Sequence, residues 1–199
     1  SAASGLSATA LGGESKAEAL RSVAVGFRAH AKGTNDVAVG GAAAASGGQS
    51  VAVGLLSKAS ALRAVAVGNG AQASNIDAVA IGRDSEADAL SATALGDRAK
   101  ARGTQSLALA SAAEAEGYQA VAVGTRAVSN AVNSVALGVE SSATALNGLA
   151  VGTSSSVRKE GGTAVGGGAS ALEEKSLALG FQAKGKAMEI DIGRGFSWQ

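Results

Sequence analysis

The hydrophobic pattern along the chain repeats every 14 residues. The tetrad Thr9-Ala10-Leu11-Gly12 returns as Val23-Ala24-Val25-Gly26 and keeps returning to Leu177-Ala178-Leu179-Gly180, thirteen times without an insertion or deletion. The third tetrad position is always Val, Leu or Ile; the first is Val or Leu except at Thr9, Thr93 and Thr163. Flanking a single Ala, these residues alternate with period 2, which predicts a strand. After the Gly comes a second alternating segment that is small on one side, as at Ala29 and Ala31, Ala71 and Ala73, or Ser85 and Ala87. Two short strands per period, with Gly at one corner and polar or Gly-containing turns at the other, describe one coil of a β-solenoid. An all-β parallel roll without helix is therefore predicted. Coils about 4.8 Å apart would build a rod roughly 60 Å long.

Residue size suggests which side of the first strand faces inward. Large aliphatics normally fill interiors, so Val25, Val39, Val53, Val67, Ile81, Leu95, Leu109, Val123, Leu137, Val151, Val165 and Leu179 are expected to form the roll core against the small residues of the second strand. The pleat then sends the intervening residue outward. That residue is Ala in every coil, and Ala24, Ala38, Ala52, Ala66, Ala80, Ala94, Ala108, Ala122, Ala136, Ala150, Ala164 and Ala178 are expected to form a subunit interface where only a methyl fits. The outward column of the second strand, with Lys16, His30, Lys58, Gln72, Glu86, Lys100 and Glu114, has the mixture expected of sites in water. So thin a roll needs association, and a homo-oligomer with its axis along the roll is expected.

Composition narrows the function. The 199 residues include 29 Gly, no Pro, no Cys and one His, and aromatics make up 3%, so a conventional core is excluded. A net charge of +1 gives no electrostatic reason to bind nucleic acid. Catalysis or metal binding would need a constellation, whereas His30 stands alone at a solvated position; neither enzyme activity, cofactor nor metal is expected. Gly166-Gly167-Gly168 is a corner Gly with two turn positions, not a phosphate loop before a helix. The Gly-Gly-x-Gly-x-Asp of calcium-binding solenoids is absent, and the three tetrad threonines are too scattered for an ice-binding array.

The remaining charges form ladders. Glu86 and Asp88 precede Lys100 and Arg102 by one period, these precede Glu114 and Glu116, and Arg83-Asp84 lies over Asp97-Arg98. Such exposed pairs fix register and solubility rather than bind a ligand. An apolar column in the second turn, Leu20, Leu62, Ile76, Leu90, Tyr118, Val132, Leu146 and Met188, is expected to make lateral contacts between subunits. No stretch approaches the ~20 apolar residues of a membrane span, and Ser1-Ala2-Ala3-Ser4 does not begin a signal peptide, so a cytosolic protein or an excised fragment is expected. From Gly180 to Gly193 the step shortens to 13 residues, which divides the chain into a roll over 1–186 and a terminal coil or transition over 187–199, with Phe196 and Trp198 covering the open end.

The unit Asn133-Ser134-Val135-Ala136-Leu137-Gly138, followed by Ser141 and Ala143, resembles the repeat of the YadA-like head in trimeric autotransporter adhesins, and the likeness runs from residue 9 to about 185. The resemblance implies a left-handed parallel β-roll assembled as a parallel homotrimer on the outer surface of a Gram-negative bacterium. Any membrane contact would come through neck, stalk and barrel segments outside this sequence. It also implies attachment to host cells or extracellular matrix, collagen-like ligands included, with no residue assigned to ligand binding. The alternative is a passive spacer that projects another adhesive head. Ala110, which replaces the corner Gly in one coil, is expected to carry about 1 kcal/mol of backbone strain.

Overall fold

The computed structural model describes residues 1–186 and the backbone of Ile190–Asp191. The chain forms two compact units, Ser1–Ala101 and Arg102–Gln199. The first unit winds three-residue strands from Thr9–Leu11 to Thr93–Leu95 and two-residue strands from Ala2–Ala3 to Lys100–Ala101. Each strand pairs in parallel with the equivalent strand of the next coil, so that Val23, Ala24 and Val25 lie opposite Val37, Ala38 and Val39. The second unit repeats the plan with long strands from Leu107–Leu109 to Leu177–Leu179 and short strands from Glu114–Ala115 to Lys184–Gly185. Leu107, Ala108 and Leu109 there face Val121, Ala122 and Val123. None of the described residues is helical. The fold is the parallel β-solenoid of 14-residue coils that the sequence predicts.

The coils close through two β-turns, except that the Ser50 N–H, which would close the turn from Gly47, donates to Asp36 instead. The Ala29 N–H donates to the Gly26 carbonyl at 3.3 Å at one end, and the Ser22 N–H donates to the Ala19 carbonyl at 3.2 Å at the other. The third residue of each turn sits in the left-handed region, as Arg28 does at φ 58° and Arg21 at φ 52°. That conformation costs an L-residue about 1–2 kcal/mol. Bonds between coils offset the cost, because the same residues donate to the preceding coil: Arg28 N–H to Gly13 and Arg21 N–H to Leu6, both at 2.9 Å. The corner residue is more constrained still. Its glycines hold φ between 116° and 140°, and a Cβ on Gly26 would lie 2.5 Å from the Gly40 carbonyl oxygen. Ala110 adopts φ 109° at this corner, the strained conformation expected of it.

The long strand is inverted relative to the expectation. Ala24, Ala38, Ala52, Ala66, Ala80, Ala94, Ala108, Ala122, Ala136, Ala150, Ala164 and Ala178 are fully buried within the single chain. They cannot present a methyl to another molecule. The residues expected as core, Val25, Val39, Val53, Val67, Ile81, Leu95, Leu109, Val123, Leu137, Val151, Val165 and Leu179, turn outward, from half-buried to 39% exposed at Leu109 and 41% at Leu179. The reason is thickness. In the second coil the interior is lined by Ser22, Ala24, Ala29 and Ala31, so the two sheets approach until a methyl or hydroxyl from each strand fills the gap. A Val inside would hold the sheets apart unless its neighbours gave up volume, as Gly148 and Gly162 do beside the buried Val157.

Serine substitutes for alanine inside where its hydroxyl is satisfied locally, Ser106 being a buried exception whose hydroxyl finds no partner. Ser15, Ser57 and Ser85 each donate to their own corner carbonyl at 3.0 Å, and Ser22 and Ser134 donate to the carbonyl three residues earlier at 2.7 Å. A buried hydroxyl with a partner carries no desolvation penalty. The largest fully buried side chains are Val157 and Asp36.

Beyond Leu177 the ladder shortens. Ile190 pairs with Leu177 and Asp191 with Ala178, a 13-residue step that agrees with the shortened terminal period. Met188, Phe196 and Trp198 lie outside the described residues.

Candidate assembly and binding surface

The outside of each coil has two kinds of face. Over the long strands, the residues on either side of the buried Ala point outward and stack in two columns, Val37, Val51 and Val65 in one, Val39, Val53 and Val67 in the other. Parallel pairing sets identical positions side by side, so the apolar character of one coil continues into the next. In the second unit the columns hold Val121, Val135 and Leu149 beside Val123, Leu137 and Val151. The sheet therefore exposes a ribbed aliphatic surface while hiding its methyls.

Over the short strands the surface is polar. Lys16 faces His30 and Glu86 faces Lys100 across neighbouring coils, as the sequence places them. The His30 Nε2 lies 3.0 Å from the Glu18 carboxylate. Here the expected mixture of exposed and half-buried polar side chains is what the structure contains, apart from Ala2, Ala44 and Val128.

The turns carry ion pairs between coils. Arg83 donates from Nε and Nη2 to the Asp97 carboxylate at 2.6 and 3.0 Å, as the charge ladder implies, and Arg102 reaches Glu116 at 3.2 Å. Others were not singled out from the sequence: Arg28 with Glu14 at 2.8 Å, Arg63 with Asp77 at 2.5 and 2.7 Å, and Arg126 with Glu140. Their signal was opposite charge 14 residues apart at left-handed turn positions. Hydrogen bonds from the guanidinium groups hold the carboxyls of Asp77, Asp97 and Glu14 below the ordinary carboxylate range.

Apolar residues also line both turns. Leu20, Leu62, Ile76 and Leu90 in the first unit, and Tyr118, Val132 and Leu146 in the second, are exposed at the second turn. The first turn adds Phe27, Leu55, Leu56, Val139 and Phe181, which the sequence reading missed. Three of them cover a glycine one coil earlier. A Cβ on Gly13 would lie 3.2 Å from the Phe27 ring, one on Gly41 3.0 Å from Leu55, and one on Gly167 3.4 Å from Phe181. The readable signal was a Gly followed 14 residues later by a large apolar residue.

Among the described residues, no group of three or more His, Asp or Glu is placed to hold a metal ion.

The family model described as YadA head domain repeat (2 copies) fits residues 3–29, 31–57, 59–85, 87–109, 111–127, 115–141, 129–155 and 159–183. The chain belongs to the YadA head family. No curated protein matches it. The YadA-type coil explains why the 14-residue tetrad runs unbroken through both units, since the matches take in all but short gaps of the described sequence. Membership also places the chain among the heads of trimeric autotransporter adhesins. The ribbed Val/Leu face is thus an exposed apolar surface on a head of an oligomeric class of protein.

Proposed function

We propose that the chain is the adhesive head of a surface fibre, working as a homotrimer that attaches the bacterium to host cells or extracellular matrix without catalysis. The observation that supports this reading is the asymmetry of the coil. Its interior is already filled by methyl and hydroxyl groups within one chain, yet the long-strand sheet still exposes two aliphatic columns. Contiguous apolar surface of that kind marks an interaction site in a soluble protein. Cyclic assembly of three copies about an axis parallel to the strand stack covers the same face on each copy and leaves the polar short-strand faces outward.

In this arrangement residues 1–186 are the head and 187–199 lead out of it. The outward polar faces and turns meet the host ligand, repeated three times around the axis. Multivalency then supplies avidity from individually weak contacts. Display at the surface of the bacterium is part of the same reading.

The test is a binding panel with the purified assembled head against collagen, fibronectin, laminin and immobilised glycans. Saturable binding that disappears in a dissociated variant supports the adhesive head. Absence of binding to every ligand, in a chain that still assembles, overturns adhesion and leaves a spacer that projects another head.

A further inference from the structure

In a solenoid of near-identical coils, a strand in the wrong register meets almost the same partners as in the right one, and weakly specified register invites slippage and misassembly. Two interior sites break this degeneracy, one in each unit. Among the described residues of the second unit, Val157 is the only large aliphatic that is fully buried. It stands where other coils carry Ala, Ser or Gly, opposite Ala143 before it and Ala171 after it in the ladder. The residues preceding the long strand, elsewhere Ser, Ala or Asp, are Gly148 in the preceding coil and Gly162 in its own. A Cβ on Gly148 would lie 3.0 Å from the Val157 Cγ1, and one on Gly162 would lie 2.9 Å from the same atom. Val carries two carbons more than Ala and each Gly one fewer, so the three positions together conserve volume.

The first unit holds a polar counterpart. Asp36 is fully buried where other coils place Ser, Ala or Gly. Its carboxylate accepts the Gly33 N–H at 2.6 Å, and from the next coil the Ser50 N–H at 2.9 Å and the Ser50 hydroxyl at 2.8 Å. Gly33 is required there too, because a Cβ would lie 2.5 Å from the carboxylate oxygen and 2.5 Å from the Gly48 nitrogen. Stacked on a coil that carries Ala at the position of Ser50, the buried carboxylate would lose its hydroxyl donor.

We infer that these two sites are register locks: Gly148, Val157 and Gly162 in one unit, and Gly33, Asp36 and Ser50 in the other, specify which coil follows which during folding. A coil that stacks past its proper neighbour leaves the two-glycine space empty, or the carboxylate short of a donor. Coils built only from the common Ala and Ser would suffer neither penalty. Natural sequences use isolated buried exceptions to fix register in this way, at some expense of stability.

The test uses the absence of cysteine from the chain. Ser142, Ser156 and Ser170 occupy one outward column of the second unit in consecutive coils. Cysteines in adjacent coils, Ser142→Cys with Ser156→Cys, stand at about 4.8 Å and can form a disulfide; Ser142→Cys with Ser170→Cys, at about 9.6 Å, cannot unless a coil has been skipped. Each pair is placed in the native background and in the lock-free triple variant Gly148→Ala, Val157→Ala, Gly162→Ala, then unfolded, refolded and oxidised early. The triple variant restores the common interior and is expected to melt no lower than the native chain. The inference predicts a skipped-coil 142–170 cross-link at least three-fold more abundant in the triple variant, and an unchanged 142–156 cross-link in the folded protein. Equal yields of the 142–170 cross-link in the two backgrounds would show that the triad only conserves volume, and would overturn the inference. A triple variant that fails to refold would overturn it as well, since the common interior would then not suffice for a coil. The corresponding measurement in the first unit replaces Asp36 by Ser, with Ala44→Cys and Gln72→Cys as the skipped-coil reporter, and the same three-fold rise is expected.

Discussion

The two sheets of each coil share one interior and have unlike exteriors. Inside, Ala24 of a long strand and Ala31 of a short strand are equally buried, and either could be exchanged for the other without changing the gap they fill. Outside, Val23 and Val25 flank the one, while the polar His30 precedes the other. The fold needs only the small residues. The exterior aliphatics are surplus to the closure of a single chain, so their regularity along the strand stack has to be explained by what lies against them. Small-inside and large-outside reverses the usual order of a globular core, and it follows from a coil too short to keep its sheets apart.

The sharpest way to break the comparison is to exchange size between the faces. Ala122→Leu puts three extra carbons into the closed interior and is expected to destabilise the chain by about 3 kcal/mol or prevent folding altogether, read by thermal unfolding. A variant that folds and melts normally would return the Ala column to the outside. Val121→Asp, one residue earlier on the exposed side, is expected to leave the far-ultraviolet spectrum of the coil intact while dissociating the assembly, because a charge in an apolar interface lacks a partner. Lys58→Ala on the short-strand face is the control, with a change within about 0.5 kcal/mol and no change in mass.

A smaller effect belongs to the corner. Ala110→Gly relieves a Cβ at φ 109° and is expected to raise stability by about 1 kcal/mol, measured by denaturant unfolding. Smallest are the turn ion pairs. Because Asp77, Asp97 and Glu14 are held below their ordinary range in the folded state, their contribution is present above the unfolded carboxylate range and is lost as pH falls through the folded values. A shallow fall in melting temperature below about pH 4 is expected. Arg63→Ala should flatten the part due to Asp77, and the effect should shrink in high salt, since these groups are exposed.

Period and pairing were legible because register leaves an arithmetic trace. Gly at one position of every 14, replaced once by Ala110, fixes the corner, and alternation fixes the strands. The short strand was read correctly, since Lys16 and Lys58 alternating with Ala17 and Ala59 say which side is wet. The long strand gave no such sign. Val-Ala-Val is apolar on both sides, and size alone pointed the wrong way because the distance between the sheets is a property of the closed coil, not of any residue. The Arg63–Asp77 pair and the Phe27–Gly13 contact were hidden for a related reason. Each joins residues one full period apart at turn positions, and the left-handed backbone of Arg63 and Asp77 is announced by no local preference. Val157 with Gly148 and Gly162 was written in the sequence as three departures from the common unit, but only a cross-section shows that they touch.

The inverted long strand and its outward aliphatics are tested most directly by sedimentation equilibrium of the unmodified chain at micromolar concentration. The account predicts a single species of three times 19.0 kDa that does not dissociate on dilution while the coil stays folded. A folded, soluble species of 19.0 kDa, with the Val and Leu columns bare to water, would contradict it.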